Sequence, residues 1–135
     1  MIFAKKTVAA SVCAFGIAAA GAAFFPATAS AASYGGQCGA GYDVINSHDV
    51  KGGTVFLTYN GEQNCVVTVR NDPGARKQMG AGVQLSNGKK ELNQQEGEFT
   101  EFAGPVYLPA KGKCINWGGY IEDDQYVEYD VHCGK

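Results

Sequence analysis

The sequence predicts an all-β domain, a small antiparallel β-sandwich or barrel stapled by two disulfides, after an N-terminal signal-peptide helix. Three observations predict it. Past residue 33, short runs rich in valine, threonine and aromatic residues alternate with turn residues at intervals of about ten positions. No ten-residue stretch there places apolar residues at helical spacing. Four cysteines, Cys38, Cys65, Cys114 and Cys133, remain outside the apolar N-terminus, and an even number in an exported chain reads as two disulfides.

Lys5 and Lys6 precede an almost wholly apolar run from Val8 to Phe25. After Pro26, "ATASAAS" supplies A-x-A triplets at 27–29 and 29–31, the pattern of a cleaved secretory signal. Residues 1–32 are therefore expected to be a signal peptide and residues 33–135 a single secreted domain. A retained membrane anchor fits less well, because alanine and glycine dominate the run and cleavage triplets follow at once, and a lipid anchor is disfavoured because Cys13 lies inside the run.

Losing the leader removes two lysines and no acid, taking the formal charge from −2 to −4. Such a chain has no clustered lysine and arginine with which to hold phosphate backbones, so neither nucleic acid nor an anionic membrane is an expected partner. About 100 residues make one small domain with a modest core, for which each disulfide would contribute ~3 kcal/mol. Zinc is disfavoured because no C-x-x-C pair occurs.

The elements follow in order. "GTVFLTY" (53–59) and "CVVTVR" (65–70) flank Asn60 and Gly61 and read as a hairpin. Matching apolar faces across it calls for a loop of odd length, pairing Val55 and Leu57 with the series Cys65, Val67 and Val69, with Cys65 facing the core. "NDPG" (71–74) ends that strand, "GVQLS" forms a short one that stops at Asn87 and Gly88, and the polar "KKELNQQEGE" (89–98) reads as a mobile loop. The two prolines of "FTEFAGPVYLPA" (99–110) confine it to an edge or to bulged positions. "CINWGGYI" and "YVEYDVHC" close the fold around the acidic turn "EDDQ". In the last strand Val127, Tyr129, Val131 and Cys133 form the apolar series, leaving Glu128, Asp130 and His132 for water.

Two placements remain open for Trp117, the single tryptophan. If Cys114 bonds Cys133 between regularly paired strands, the two share a face and Trp117 lies on the other. If Cys114 sits in the loop before the strand, Trp117 packs inside beside a bulge at Gly118 and Gly119. Of three possible pairings, Cys38 with Cys65 and Cys114 with Cys133 are favoured.

Taken together, "CGAGYDVI", "GTVFLTYN", "NCVVTVRNDPG", "FAGPVYLPAKGKCINWGGYI" and the terminal "HCGK" resemble the spore-associated protein A family, small exported proteins of filamentous actinobacteria. The resemblance runs from Cys38 to Cys133. It implies association with the spore or aerial-cell surface, with no established catalytic activity and no assigned active site.

The chemistry-bearing residues agree with a non-enzymatic reading. No G-x-S-x-G occurs, paired cysteines leave no thiol nucleophile, and neither "GAG" follows a buried strand or opens a helix. His48, His132, Arg70, Arg76 and several carboxylates supply the residue types of a small secreted hydrolase without a motif linking them. The acids from Glu122 to Asp130 lack the ordered spacing of a calcium loop. No metal and no cofactor is expected. The aromatic residues Trp117, Tyr120 and Tyr107 are the best prospect for a binding surface, because such side chains stack against carbohydrate and protein partners. Expected partners are spore or cell-wall surface components, glycan or protein. An alternative is a small secreted protease inhibitor presenting the loop from Arg76 to Gly82 or from Lys89 to Gly97.

Overall fold

The computed structural model describes Phe3, residues 32–87 and residues 92–134. Apart from Phe3 and Ala32, the expected leader lies outside the described residues. Eight strands form two four-stranded antiparallel sheets: β1 (Asp43–Val50), β2 (Gly53–Tyr59), β3 (Gln63–Arg70) and β6 (Phe102–Pro109) in the first, ordered β1-β2-β3-β6. The second, ordered β5-β4-β7-β8, holds β4 (Lys77–Leu85), β5 (Asn93–Phe99), β7 (Ile115–Ile121) and β8 (Asp124–Val131). The sheets pack face to face around Val55, Leu57, Val66, Met79, Val83, Ile115 and Trp117, all fully buried. The predicted disulfide-stapled β-sandwich is the observed fold, with no helix among the described residues and with Cys38–Cys65 and Cys114–Cys133 bonded.

At the centre the sheets approach closely enough for a direct hydrogen bond. Thr68 Oγ1 on β3 donates to Gly80 O on β4 at 2.8 Å. Gly119 makes the approach possible, since a Cβ there would stand 2.1 Å from Thr68 Oγ1.

The β2–β3 hairpin corrects the expected register. Leu57 pairs with Val66 and Thr58 with Cys65, and the loop has an even count. Asn60 sets it: its N–H donates to Gln63 O at 3.1 Å, and its Oδ1 accepts from the N–H groups of Glu62 and Gln63 at 2.8 and 2.7 Å. This Asx-type turn centres the loop on Gly61 and Glu62. Both faces of β2 and β3 are buried, so apolar parity could not choose between registers. Cys65 is buried as expected, but in a second cluster on the outer side of the first sheet, with Phe56, Val67 and Val69.

The segment 32–42 covers that cluster like a strap. Cys38 is tied to Cys65, Tyr34 packs against Phe56 with centroids 5.9 Å apart, and Tyr107 Oη donates to Cys38 O at 2.9 Å. Ala32 N donates to Asn71 Oδ1 at 2.9 Å where the strap begins.

Other corrections concern edges. Residues 93–98 of the expected mobile loop belong to β5, and β4 runs well beyond "GVQLS", from Lys77 to Leu85. The segment Arg76 to Gly82 therefore enters a central strand whose backbone is paired on both sides, which leaves it unable to present a protease-binding loop. Most of the other proposed reactive loop is strand β5, and residues 89–91 lie outside the described residues. β6 is an edge strand as its prolines require, and a register shift opposite Val66 to Thr68 absorbs Gly104 and Pro105. Gly104 adopts φ +97°, and a Cβ there would stand 2.8 Å from Val66 O.

The last strand faces opposite to its expected sense. Trp117 pairs with Glu128 and Gly119 with Tyr126, so Tyr126 and Glu128 point inward while Val127 and Tyr129 point out. A bulge between Ile115 and Trp117, with Asp130 at φ +56°, then returns Val131 to the inner side opposite Ile115. Asn116 holds this bulge by accepting from Asp130 N at 2.8 Å.

Candidate functional site

The three aromatic residues singled out from the sequence occupy three different places. Trp117 is fully buried in the main core, taking the inward placement, with Cys114 in the loop just before β7. Tyr107 lies on the outer face of the first sheet, where its hydroxyl holds the strap and its ring meets Tyr42 edge-on at 5.7 Å. Burial, then the charges of Tyr42 and Tyr34, raise its hydroxyl above the ordinary tyrosine value. Tyr120 alone belongs to the outer face of the second sheet.

Register builds that face. Across β4 and β7 the outward pairs are Gly80 with Tyr120, Gly82 with Gly118, and Gln84 with Asn116. β5 sets Glu96 beside Gly80 and Gln94 beside Gly82, while β8 sets Gln125 beside Tyr120 and Val127 beside Gly118. The Tyr120 ring lies over Gly80: a Cβ on that glycine would stand 2.3 Å from Tyr120 Cε1 and 3.0 Å from Cδ1 and Cζ. Burial, and after it the charge and hydrogen bond of Glu96, push the Tyr120 hydroxyl up to about 12. Gln94 Nε2 donates to Glu96 Oε1 at 3.3 Å, and Asn116 Nδ2 donates to Gln84 Oε1 at 3.0 Å. Tyr120 is half-buried there while Gly82, Gly118 and Asn116 are buried, and a Cβ on Gly118 would stand 2.2 Å from Tyr126 O, so this glycine lets the β8 backbone close in on β7. The pairing that lays Tyr120 on Gly80 joins distant parts of the chain and has no local sequence signal.

A second constellation occupies the seam where β1 and β8 face each other. Trp117 Nε1 donates to Glu128 Oε1 at 3.0 Å. Asn46 Nδ2 reaches the same oxygen at 3.5 Å and lies 3.1 Å from His132 Nε2. The His48 ring stacks on Tyr126, centroids 3.6 Å apart and planes 11° from parallel, and Tyr126 meets Trp117 edge-on at 5.7 Å. Burial, followed by Glu128, raises the Tyr126 hydroxyl above its ordinary value. The seam thus gathers both histidines and a carboxylate that no motif links, and Glu128 points away from the water the sequence assigned it. Its geometry favours a structural role, because Glu128 Oε1 is already engaged by the indole of a core residue.

The remaining acids disperse. Asp124 Oδ2 accepts from Lys51 N at 2.7 Å, Glu122 lies 4.0 Å from Lys77 Nζ, and Asp130 Oδ1 accepts from Ser86 Oγ at 2.8 Å. Asp130 also approaches Cys114 and Cys133, but those sulfurs are joined in a disulfide and offer no thiolate. Arg70, buried, donates to Ala75 O at 2.7 Å and Thr100 O at 3.0 Å and ties two loops together.

Fold and face together define a small, disulfide-stapled β-sandwich with one outer face strapped shut and a polar, aromatic surface on the other. A curated relative from Streptomyces coelicolor, named Spore-associated protein A, is 45% identical over 120 residues, covering 86% of this chain and 75% of its own. The chain belongs to the spore-associated protein A family. No protein-family model and no solved structure matches it.

Proposed function

We propose that the protein is an exported, non-enzymatic binding domain that attaches to the spore or cell surface through the outer face of its second sheet. The observation that carries this reading is the Tyr120 ring lying on Gly80, with Gly82 and Gly118 beside it. Gly80 leaves room for that ring and Gly118 for the backbone of β8, so the half-buried Tyr120 ring is the aromatic group this face offers a partner. The relative's name supports the location. The test is co-sedimentation of the purified protein with spore and hyphal envelopes. Retention that falls at least tenfold for Tyr120→Ala supports the reading, and absence of retention on either envelope removes it.

A second reading, a small secreted hydrolase, draws on the seam that unites His48, His132 and Glu128. It requires any hydrolytic activity of the purified protein to collapse in His48→Ala and His132→Ala. Activity that persists in both variants discards it.

A further inference from the structure

We infer that the Cys114–Cys133 disulfide is a thiol-exchange site, at which a low-molecular-weight thiol seated beside Cys114 forms a mixed disulfide with that residue. This goes beyond surface attachment and does not depend on it.

The two disulfides of the fold differ in access. Cys38 and Cys65 are 4% and 0% exposed beneath the strap. Cys133 is exposed and Cys114 half-buried, at the end of the sandwich where β7 begins and β8 finishes. Exchange requires a thiolate to reach a sulfur, so the folded protein opens the second bond to it and closes the first.

A seat lies beside the accessible bond. Leu85, Ser86, Asn87, Lys113 and Cys114 line a depression of about 330 Å³, the scale of a small-molecule site. Cys114 belongs to its wall and Cys133 does not, so the depression lies on the Cys114 side of the disulfide. Displacement at sulfur runs in line, with nucleophile and leaving group on opposite sides of the sulfur attacked. A thiolate in the depression is therefore placed to attack Cys114 Sγ and expel Cys133.

The step balances without another reagent. The incoming thiolate bonds to Cys114 Sγ, the Cys114–Cys133 bond breaks, and its electron pair leaves on Cys133 Sγ. That thiolate emerges at an exposed residue and takes a proton from water. The incoming thiol is oxidised to the mixed disulfide while Cys133 is reduced.

Two charged side chains act on this step in opposite senses. Lys113 lines the depression, and its ammonium favours a thiolate arriving there. The Asp130 carboxylate lies within 4.8 Å of both sulfurs and opposes negative charge on either. Ser86 Oγ donates to Asp130 Oδ1 at 2.8 Å and Asp130 N donates to Asn116 Oδ1 at 2.8 Å, which fixes this brake independently of the disulfide. The strands stay in place as well: Ser86 N donates to Cys114 O at 2.9 Å, and Ile115 pairs with Val131 across the ladder. Opening the bond thus frees two sulfurs without dismantling the sheet.

The test incubates folded protein, recovered from the medium of an exporting host, with reduced glutathione. Samples are quenched in acid, free thiols are capped with N-ethylmaleimide, and the adducts are mapped by peptide mass spectrometry. The inference expects glutathione on Cys114, maleimide on Cys133 and an intact Cys38–Cys65 bond, with Cys114–Cys133 opening at least tenfold faster than Cys38–Cys65. Lys113→Glu should slow adduct formation at least threefold and Asp130→Asn should speed it at least threefold, both being surface changes that leave the thermal melt close to native. Where excess thiol carries the native adduct on to full reduction, single-cysteine variants give the readout: oxidised glutathione should load Cys114 in Cys133→Ser faster than it loads Cys133 in Cys114→Ser. Glutathione found on Cys133, no adduct in the folded protein, equal opening of the two disulfides, or rates unmoved by both charge variants would overturn the inference.

Discussion

The indole N–H of Trp117 donates to Glu128 Oε1 at 3.0 Å, joining the most buried aromatic residue of the core to a carboxylate on an edge strand. This bond explains why β8 turns a charged residue inward. A buried indole N–H without an acceptor is costly, and Glu128 is the residue paired with Trp117 across the ladder. Glu128→Leu should therefore lower stability by ~1–3 kcal/mol, the cost of the orphaned donor, and Glu128→Gln, which keeps an acceptor, by less. Urea unfolding followed by tryptophan fluorescence measures both, and equal losses in the two variants would show that the bond does not carry the effect.

The same burial sets the emission of the protein. Trp117 is the single tryptophan and is fully buried, so native fluorescence should be blue-shifted and resistant to iodide. Red, readily quenched emission would place the ring in water and contradict the β7 register.

The two disulfides should fail in different ways. Replacing Cys38 and Cys65 by serine frees the strap over Phe56, Val67 and Val69, so it should both cost ~2–4 kcal/mol and raise binding of an apolar dye. Removing Cys114–Cys133 releases only the ends of β7 and β8, so a similar loss of stability should come without dye binding. Equal dye binding by the two variants would mean that the strap stays in place without its bond.

Alkaline pH should act through Tyr120. Its hydroxyl is pushed up to about 12 from an ordinary 10.0, so the folded chain keeps a proton that the unfolded chain releases. The resulting stability is complete below pH 10 and is lost as pH rises from 10 towards about 12. Urea midpoints across that window should fall in the native protein and fall less in Tyr120→Phe. Parallel profiles for the two would assign the alkaline loss to other groups.

The close approach of the sheets predicts a severe variant. A methyl on Gly119 would lie 2.1 Å from Thr68 Oγ1 and 2.8 Å from Gly80 O, between a buried side chain already hydrogen-bonded across the sheets and the β4 backbone. Gly119→Ala should cost on the order of 3 kcal/mol or more by overpacking, read as an early thermal melt. A native melting temperature would show that the sheets can separate at little cost.

The sequence yielded the parts whose burial is written in local pattern. β2, β3 and the closing hairpin stand out as alternating or apolar runs between turn residues, and the prolines of β6 correctly mark an edge. What escaped lies at the edges, where inward positions need not be apolar. β1 turns Asn46 and His48 towards the seam, β5 turns Asn93 and Gln95 inward to meet β6, and neither strand carries an apolar alternation. β8 misled for the same reason, since Val127 and Tyr129 form its outer series. Tyr120 was named from its residue type alone, because its glycine bed depends on a register between distant strands.

The strap over the first sheet gives the molecule a front and a back. A β-sandwich offers two broad outer faces, and here residues 32–42 close one of them with a covalent bond. Among the described residues no such segment crosses the other. On the proposed attachment through the second sheet, a single copy presents one gripping face rather than two. Multivalent attachment, with its large gain in avidity, would have to come from many copies lying side by side in the same orientation.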